Sequence, residues 1–231
     1  MMSPPPVLEG GTASPEIPDG APDALSPVDP PPPPSPTLEE RIRRIGEAAV
    51  ARAKRIAVSK PTVYKLGAGG RNPKAETPFT VRDGVLGSDC IGFTLWCLGI
   101  DRYQPKTFPY YDGWINTDSA IADAKGKKTY FEVVTRPQPG DQIVYPSIRK
   151  DGKMTRMGHV GLVVEVPSEW HPDFSFSLPP KERKEWLKKV RVIDCNASSG
   201  RKLKKQAVAE CAASDIWDKP DAVFIRLKRI P

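Results

Sequence analysis

The chain reads as an α+β protein, with N-terminal helices packed on an antiparallel sheet of about five strands. Three observations predict this. Apolar residues recur at helical spacing between Leu38 and Ile56 and again between Ile91 and Leu98. From Tyr130 onward the texture changes to short runs of Val, Ile, Phe and Tyr separated by turn signals. Helices first and strands afterwards is the order of a segregated α+β domain.

The first 37 residues stand apart. They hold 13 of the 27 prolines, five acids (Glu9, Glu16, Asp19, Asp23, Asp29) and no Lys or Arg. Such a segment cannot bury a core and is expected to be a solvated tail that tethers residues 38–231 to a larger assembly. The start, Met-Met-Ser-Pro-Pro-Pro, has no basic stretch leading into an apolar one, and no apolar run reaches the ~18 residues of a membrane span. No signal peptide is therefore expected, so synthesis is expected to be cytoplasmic.

Residues 38–231 carry 35 basic and 23 acidic side chains, a net +12. That balance suits polyanionic surroundings such as an anionic wall polymer or an acidic membrane surface. The clusters at 181–191, 201–205 and 226–229 carry much of it, and solvated helix faces and loops account for a good part. No zinc-finger or RNA-binding signature accompanies them, so no specific nucleic-acid partner is expected. Four cysteines (Cys90, Cys97, Cys195, Cys211) are too few and too scattered for a disulfide scaffold, and none forms a Cys-x-x-Cys pair. Reduced thiols, no metal and no cofactor are expected.

The elements follow in order. Thr37-Leu38-Glu39-Glu40 is a capping box, and Leu38, Ile42, Ile45, Ala49, Ala53 and Ile56 then mark one helix face to about Ser59. After Lys60-Pro61, the stretch Thr62–Gly70 loses periodicity in a Gly-x-Gly-Gly loop. It lacks the Lys-Ser/Thr and the preceding strand of a phosphate cradle, so nucleotide binding is not expected. A short apolar helix follows in Ser88-Asp89-Cys90-Ile91-Gly92-Phe93-Thr94-Leu95-Trp96-Cys97-Leu98, capped by Ser88 or Asp89 and stopped by Gly99. Another is predicted from Asn116 or Thr117 to about Ala124. Strands are predicted at Phe131–Val134, Gln142–Tyr145, Val160–Val166, Val190–Asp194 and Val223–Leu227, with a tight turn at Pro139-Gly140-Asp141 and a hairpin loop at Lys150–Lys153. Residues 167–189 form a polar insertion ending in a helix at Lys181–Lys188, expected to decorate the sheet.

Cys90 falls in the first turn of its helix, where free N–H groups and the positive end of the dipole favour a thiolate. The competing reading is a small buried hydrophobe, which Cys97, two turns on, fits well. A cysteine nucleophile needs an imidazole and a group to orient it. Of the two histidines, His171 lies in the polar insertion, whereas His159 opens a predicted strand and is the candidate base. Asp194 and Asn196, two residues apart on the next strand, share a face, and either can accept from an imidazole N–H.

Together these residues resemble the NlpC-type cell-wall peptidases, papain-like cysteine enzymes. Tyr64–Gly70 is similar to their Tyr-x-x-Gly-Gly segment and Asp89-Cys90-Ile91-Gly92-Phe93 to Asp-Cys-Ser-Gly-Phe, with Ile91 in place of Ser. Pro139-Gly140-Asp141 and His159-Val160-Gly161-Leu162 match two further motifs in register, over about residues 38–200. The resemblance implies Cys90 as nucleophile, His159 as base and Asp194 as orienter, since Val-Ile-Asp-Cys stands where the family has Val-Ile-His-Ala; Asn196 remains its rival. It also implies that Tyr64, Asp89 and Asn196 lie on the substrate and oxyanion side, and that peptidoglycan stem peptides are the substrate of a phage-associated lytic enzyme. A cytoplasmic papain-like amidase, or a silent virion or wall-binding module on the same fold, are the alternatives.

Overall fold

The computed structural model of the protein describes residues 35–59, 61–171, 173–198, 201 and 204–229. Apart from residues 35–37, the expected proline-rich tail lies outside the described residues. The capping box forms at Thr37: its hydroxyl accepts from Glu40 N at 3.2 Å and Glu40 Oε2 accepts from Thr37 N at 2.7 Å. Helix α1 (Leu38–Val58) follows, burying Gly46, Ala49, Ala53 and Ile56. Leu38 does not join that stripe. It is 53% exposed, on the rim of a hollow shared with Glu132 and Lys228.

Next come a hairpin, β1 (Thr80–Arg82) and β2 (Val85–Gly87), and helix α2 (Cys90–Leu98), buried along its whole length. Helix α3 (Thr117–Lys125) has the expected Asn116 cap. The strands are β3 (Phe131–Val134), β4 (Gln142–Tyr145), β7 (His159–Glu165), β8 (Arg191–Cys195), β9 (Val208–Ala212) and β10 (Val223–Leu227). They form one antiparallel sheet of six strands in the order β3-β10-β4-β7-β8-β9. The prediction of about five missed β9, whose Val-Ala-Glu-Cys-Ala run carries little apolar alternation. Between β4 and β7 a separate hairpin, β5 (Ile148–Lys150) and β6 (Lys153–Arg156), turns at Asp151-Gly152 with both residues at positive φ.

Period-two alternation sends opposite faces of the sheet into two clusters. Val160, Leu162 and Val164 of β7 pack with Ile193 and Cys195 against α1 and α2. Val163 and Val192 face the other way, toward Phe174, Phe176 and Leu187 of the insertion and toward Trp217. The insertion, with helix α4 (Pro180–Leu187), adds no strand but closes this second face. Its role is larger than the decoration expected of it, because phenylalanines spaced among polar residues supply a core that its mean polarity conceals.

The Pro139-Gly140-Asp141 turn is a further point where α1 meets the sheet. A Cβ on Gly140, whose φ is +96°, would lie 2.3 Å from the Gly46 Cα, so two glycines let helix and turn touch backbone to backbone. Asp141 accepts from Gln138 N and takes both Arg226 Nε (2.9 Å) and Nη2 (2.8 Å), which ties the turn to β10.

Candidate active site

Asp89 determines where α2 begins. Its Oδ1 accepts from Gly92 N at 2.8 Å, the N-cap bond, and its Oδ2 accepts from Gly67 N at 2.7 Å. Arg102 completes a bidentate pair, with Nη1 2.9 Å from Oδ1 and Nη2 2.9 Å from Oδ2, and both side chains are buried. Opposite, the Gly69-Gly70 segment lies on Gly92. A Cβ at Gly92 would come within 2.5 Å of Ala68 O, which explains why glycines flank the cysteine at these positions. The result is a rigid helix start with Cys90 as its first residue, whose N–H has no acceptor inside the helix.

His159 is the first residue of β7 and is paired in register with Tyr145 of β4. Its Nε2 lies 2.7 Å from Asp194 Oδ2 on the neighbouring β8. Asp194 is held in turn: Arg201 Nη1 donates to its Oδ1 at 2.6 Å and also to the carbonyls of Asp194 and Ala207, while Asn196 Nδ2 donates to Oδ2 at 3.3 Å. The Trp217 indole stacks on the imidazole at 5.3 Å between centroids and 25° between planes. Gly161 makes room for it, since a Cβ there would lie 2.7 Å from the Trp217 ring and 2.4 Å from Val192 Cγ1.

The electrostatics follow from this crowding. Burial works to lower the His159 pKa, but a negative Cys90 sulfur beside the ring and the bond to Asp194 outweigh it and push the pKa up to about 10. With Nε2 on Asp194, Nδ1 is the nitrogen left to donate to Cys90. The Tyr64 phenol is raised by burial first and then by the charges of Cys90 and Asp89, so it stays a protonated donor. The other thiols are raised too: Cys97 and Cys195 by burial above all, and Cys211 to about 12 by burial and then by Asp194. Cys195 donates to Ser88 O at 3.2 Å.

Of the residues singled out in the sequence, Cys90, His159, Asp194 and Tyr64 come together. Tyr64 sits between two hollows. One, of about 150 Å3, runs past Cys90, Asp118 and Met157; the other, of about 450 Å3, is lined by Pro61, Asn196, Arg201 and Lys205. Asp89 reaches the first hollow, with its two oxygens engaged by the helix cap, Gly67 and Arg102. Asn196 braces Asp194 and makes no hydrogen bond to the ring. His171 stays in the insertion, 3.4 Å from Glu182 and edge-on to Trp186. Arg201 and Trp217 are the residues that sequence reasoning missed. In the sequence Arg201 is one of a run of basic residues, and no local pattern marks a tryptophan that meets a histidine 58 positions away only through the fold.

A cysteine in this position, an imidazole that keeps its proton and a buried carboxylate behind it can carry nucleophilic acyl transfer. Residues 80–173 match the family model of the CHAP domain, a member of the NlpC and papain-like group of cysteine peptidases and amidases that act on peptidoglycan. The match spans Cys90 and His159 and ends before Asp194. No curated protein and no solved structure was found to match the chain.

Proposed function

With a CHAP domain indicating a peptidoglycan amidase or peptidase, we propose that this chain is a cysteine hydrolase that cleaves an amide bond in stem peptides through Cys90, His159 and Asp194. The observation that carries this reading is the continuous relay behind the sulfur: Cys90 beside His159, His159 on Asp194, and Asp194 on Arg201. The Cys90 thiolate attacks the amide carbonyl and forms the C–S bond. The developing oxyanion is met by the Cys90 N–H and the Tyr64 hydroxyl. His159 gives its proton to the leaving amine as the C–N bond breaks. It then takes a proton from water, which hydrolyses the thioester and restores the thiolate–imidazolium pair. Asp194 holds the ring through Nε2 so that Nδ1 faces sulfur, and Arg201 keeps that carboxylate fixed.

A basic domain at net +12 also suits retention on an anionic wall polymer. The test is digestion of purified sacculi by the wild-type protein and by Cys90→Ala, with fragments identified by mass spectrometry. Release of stem-peptide fragments by the wild type, and none by the folded variant, is the expected result. Silence of both on several wall chemotypes would overturn the reading in favour of another amide substrate or a binding role.

A further inference from the structure

The hollow beside Cys90 contains one carboxylate that the proposed mechanism does not use. Asp118 stands in the first turn of α3 and is half-buried. Its Oδ1 accepts from Ser147 N at 2.7 Å and its Oδ2 is bonded by the Ser147 hydroxyl. Neither bond supplies a counter-charge. The nearby guanidiniums are committed elsewhere, Arg102 to Asp89 and Arg156 to Asp221, and among the described residues no cation pairs with Asp118. The Asp89–Arg102 pair cancels within the same wall, so this small cavity carries a net negative charge in a domain whose overall balance is +12. Asp118 lies in the first turn of α3, at the end of the helix where a negative side chain is favoured. The remaining wall includes Leu66, Met154 and Met157, each about half exposed and free to adapt to an alkyl chain.

We propose that this cavity is a subsite for a primary ammonium group of the substrate, with Asp118 as its counter-ion and Leu66, Met154 and Met157 against the adjoining methylenes. The inference rests on the peptidase reading and narrows it to peptides that present a free amine within reach of the scissile bond. Two sources share that chemistry, the side-chain amine of a diamino acid and the α-amine of a stem-peptide terminus. The hollow, about 150 Å3 and open to solvent, has room for an aminoalkyl group.

The experiment uses stem peptides acetylated at the side-chain amine, at the terminus, at both or at neither. Hydrolysis is measured with wild type, Asp118→Asn and Ser147→Ala. Binding of the same peptides to full-length Cys90→Ala is measured by calorimetry. The wild type is expected to favour one free amine over its acetylated form by about tenfold or more in kcat/KM, as for a charge-assisted hydrogen bond; which amine matters identifies the source. Asp118→Asn, which keeps an acceptor for Ser147 N, is expected to lose that preference. Ser147→Ala keeps the charge and is expected to retain it. Equal handling of free and acetylated peptides by the wild type, or a preference that survives in Asp118→Asn, overturns the subsite. If Asp118→Asn fails to fold, calorimetry on Cys90→Ala decides without touching Asp118: a tighter grip on the free amine supports the subsite, and equal or absent binding overturns it. Preferential binding with no hydrolysis by the wild type would leave the subsite standing and remove the peptidase reading.

Discussion

A histidine with only 8% of its surface exposed would ordinarily give up its proton, yet His159 keeps it to about pH 10 because sulfur and carboxylate flank the ring. The sign of the consequence is fixed. A pKa raised above the ordinary 6.5 stabilises the folded state fully below that value, and the contribution is lost as pH rises through about 10. Urea midpoints of wild type and His159→Gln should therefore lie furthest apart near pH 6 and converge above pH 10. The alkaline limb of kcat/KM should fall near pH 10 in the wild type and move toward neutrality in Asp194→Asn, with a loss of about a hundredfold or more in rate. Asn196→Ala, which removes only a brace on Asp194, should cost far less; equal losses would reverse the roles assigned to the two. The rivalry between Asp194 and Asn196 was unresolvable from sequence because both lie on one strand face. It took the 2.7 Å contact from Nε2 to show which of them meets the ring.

The elements were legible where local chemistry decides them. The box at Thr37, the Asp89 cap, Gly99 in the left-handed region after α2 and Asn116 before α3 all act within four residues of themselves. The β1–β2 hairpin carries a local signal too, Asp83-Gly84 between Val81 and Val85, with both turn residues at positive φ. What local chemistry does not reveal is the buried Arg102 guanidinium under α2. Its loss leaves Asp89 as an uncompensated buried charge, so Arg102→Met is expected to destabilise the fold by about 3–5 kcal/mol in urea unfolding. Arg102→Lys should recover only part of this, because an ammonium cannot pair with both oxygens in plane. In β7, Gly161→Ala drives a methyl into Val192 and Trp217. We expect a loss of about 1–3 kcal/mol, together with a drop in activity as the indole shifts from the His159 ring. An activity loss with unchanged indole fluorescence would disconnect the two.

Across the whole molecule, residues far apart in the chain build each layer. The two faces of the sheet are closed by segments far apart in the chain, α1 and α2 before it and the 167–189 insertion between β7 and β8. Charge clusters that look uniform in sequence divide once folded: Arg201 turns inward to Asp194 and Arg226 to Asp141, while Lys204, Lys205 and Lys228 stay at the surface. No helix among the described residues is long and apolar enough to cross a membrane. The strand order has a practical corollary for anyone wishing to move this domain into another protein. The last strand in sequence, β10, is inserted between β3 and β4, and β8 brings the carboxylate that backs His159. A fragment cut at residues 80–173 would hold both the sulfur and the imidazole, yet it would lack the strand that joins β3 to β4, the β8–β9 side of the sheet and the partner of its histidine. The portable unit begins at the Thr37 cap and extends through β10.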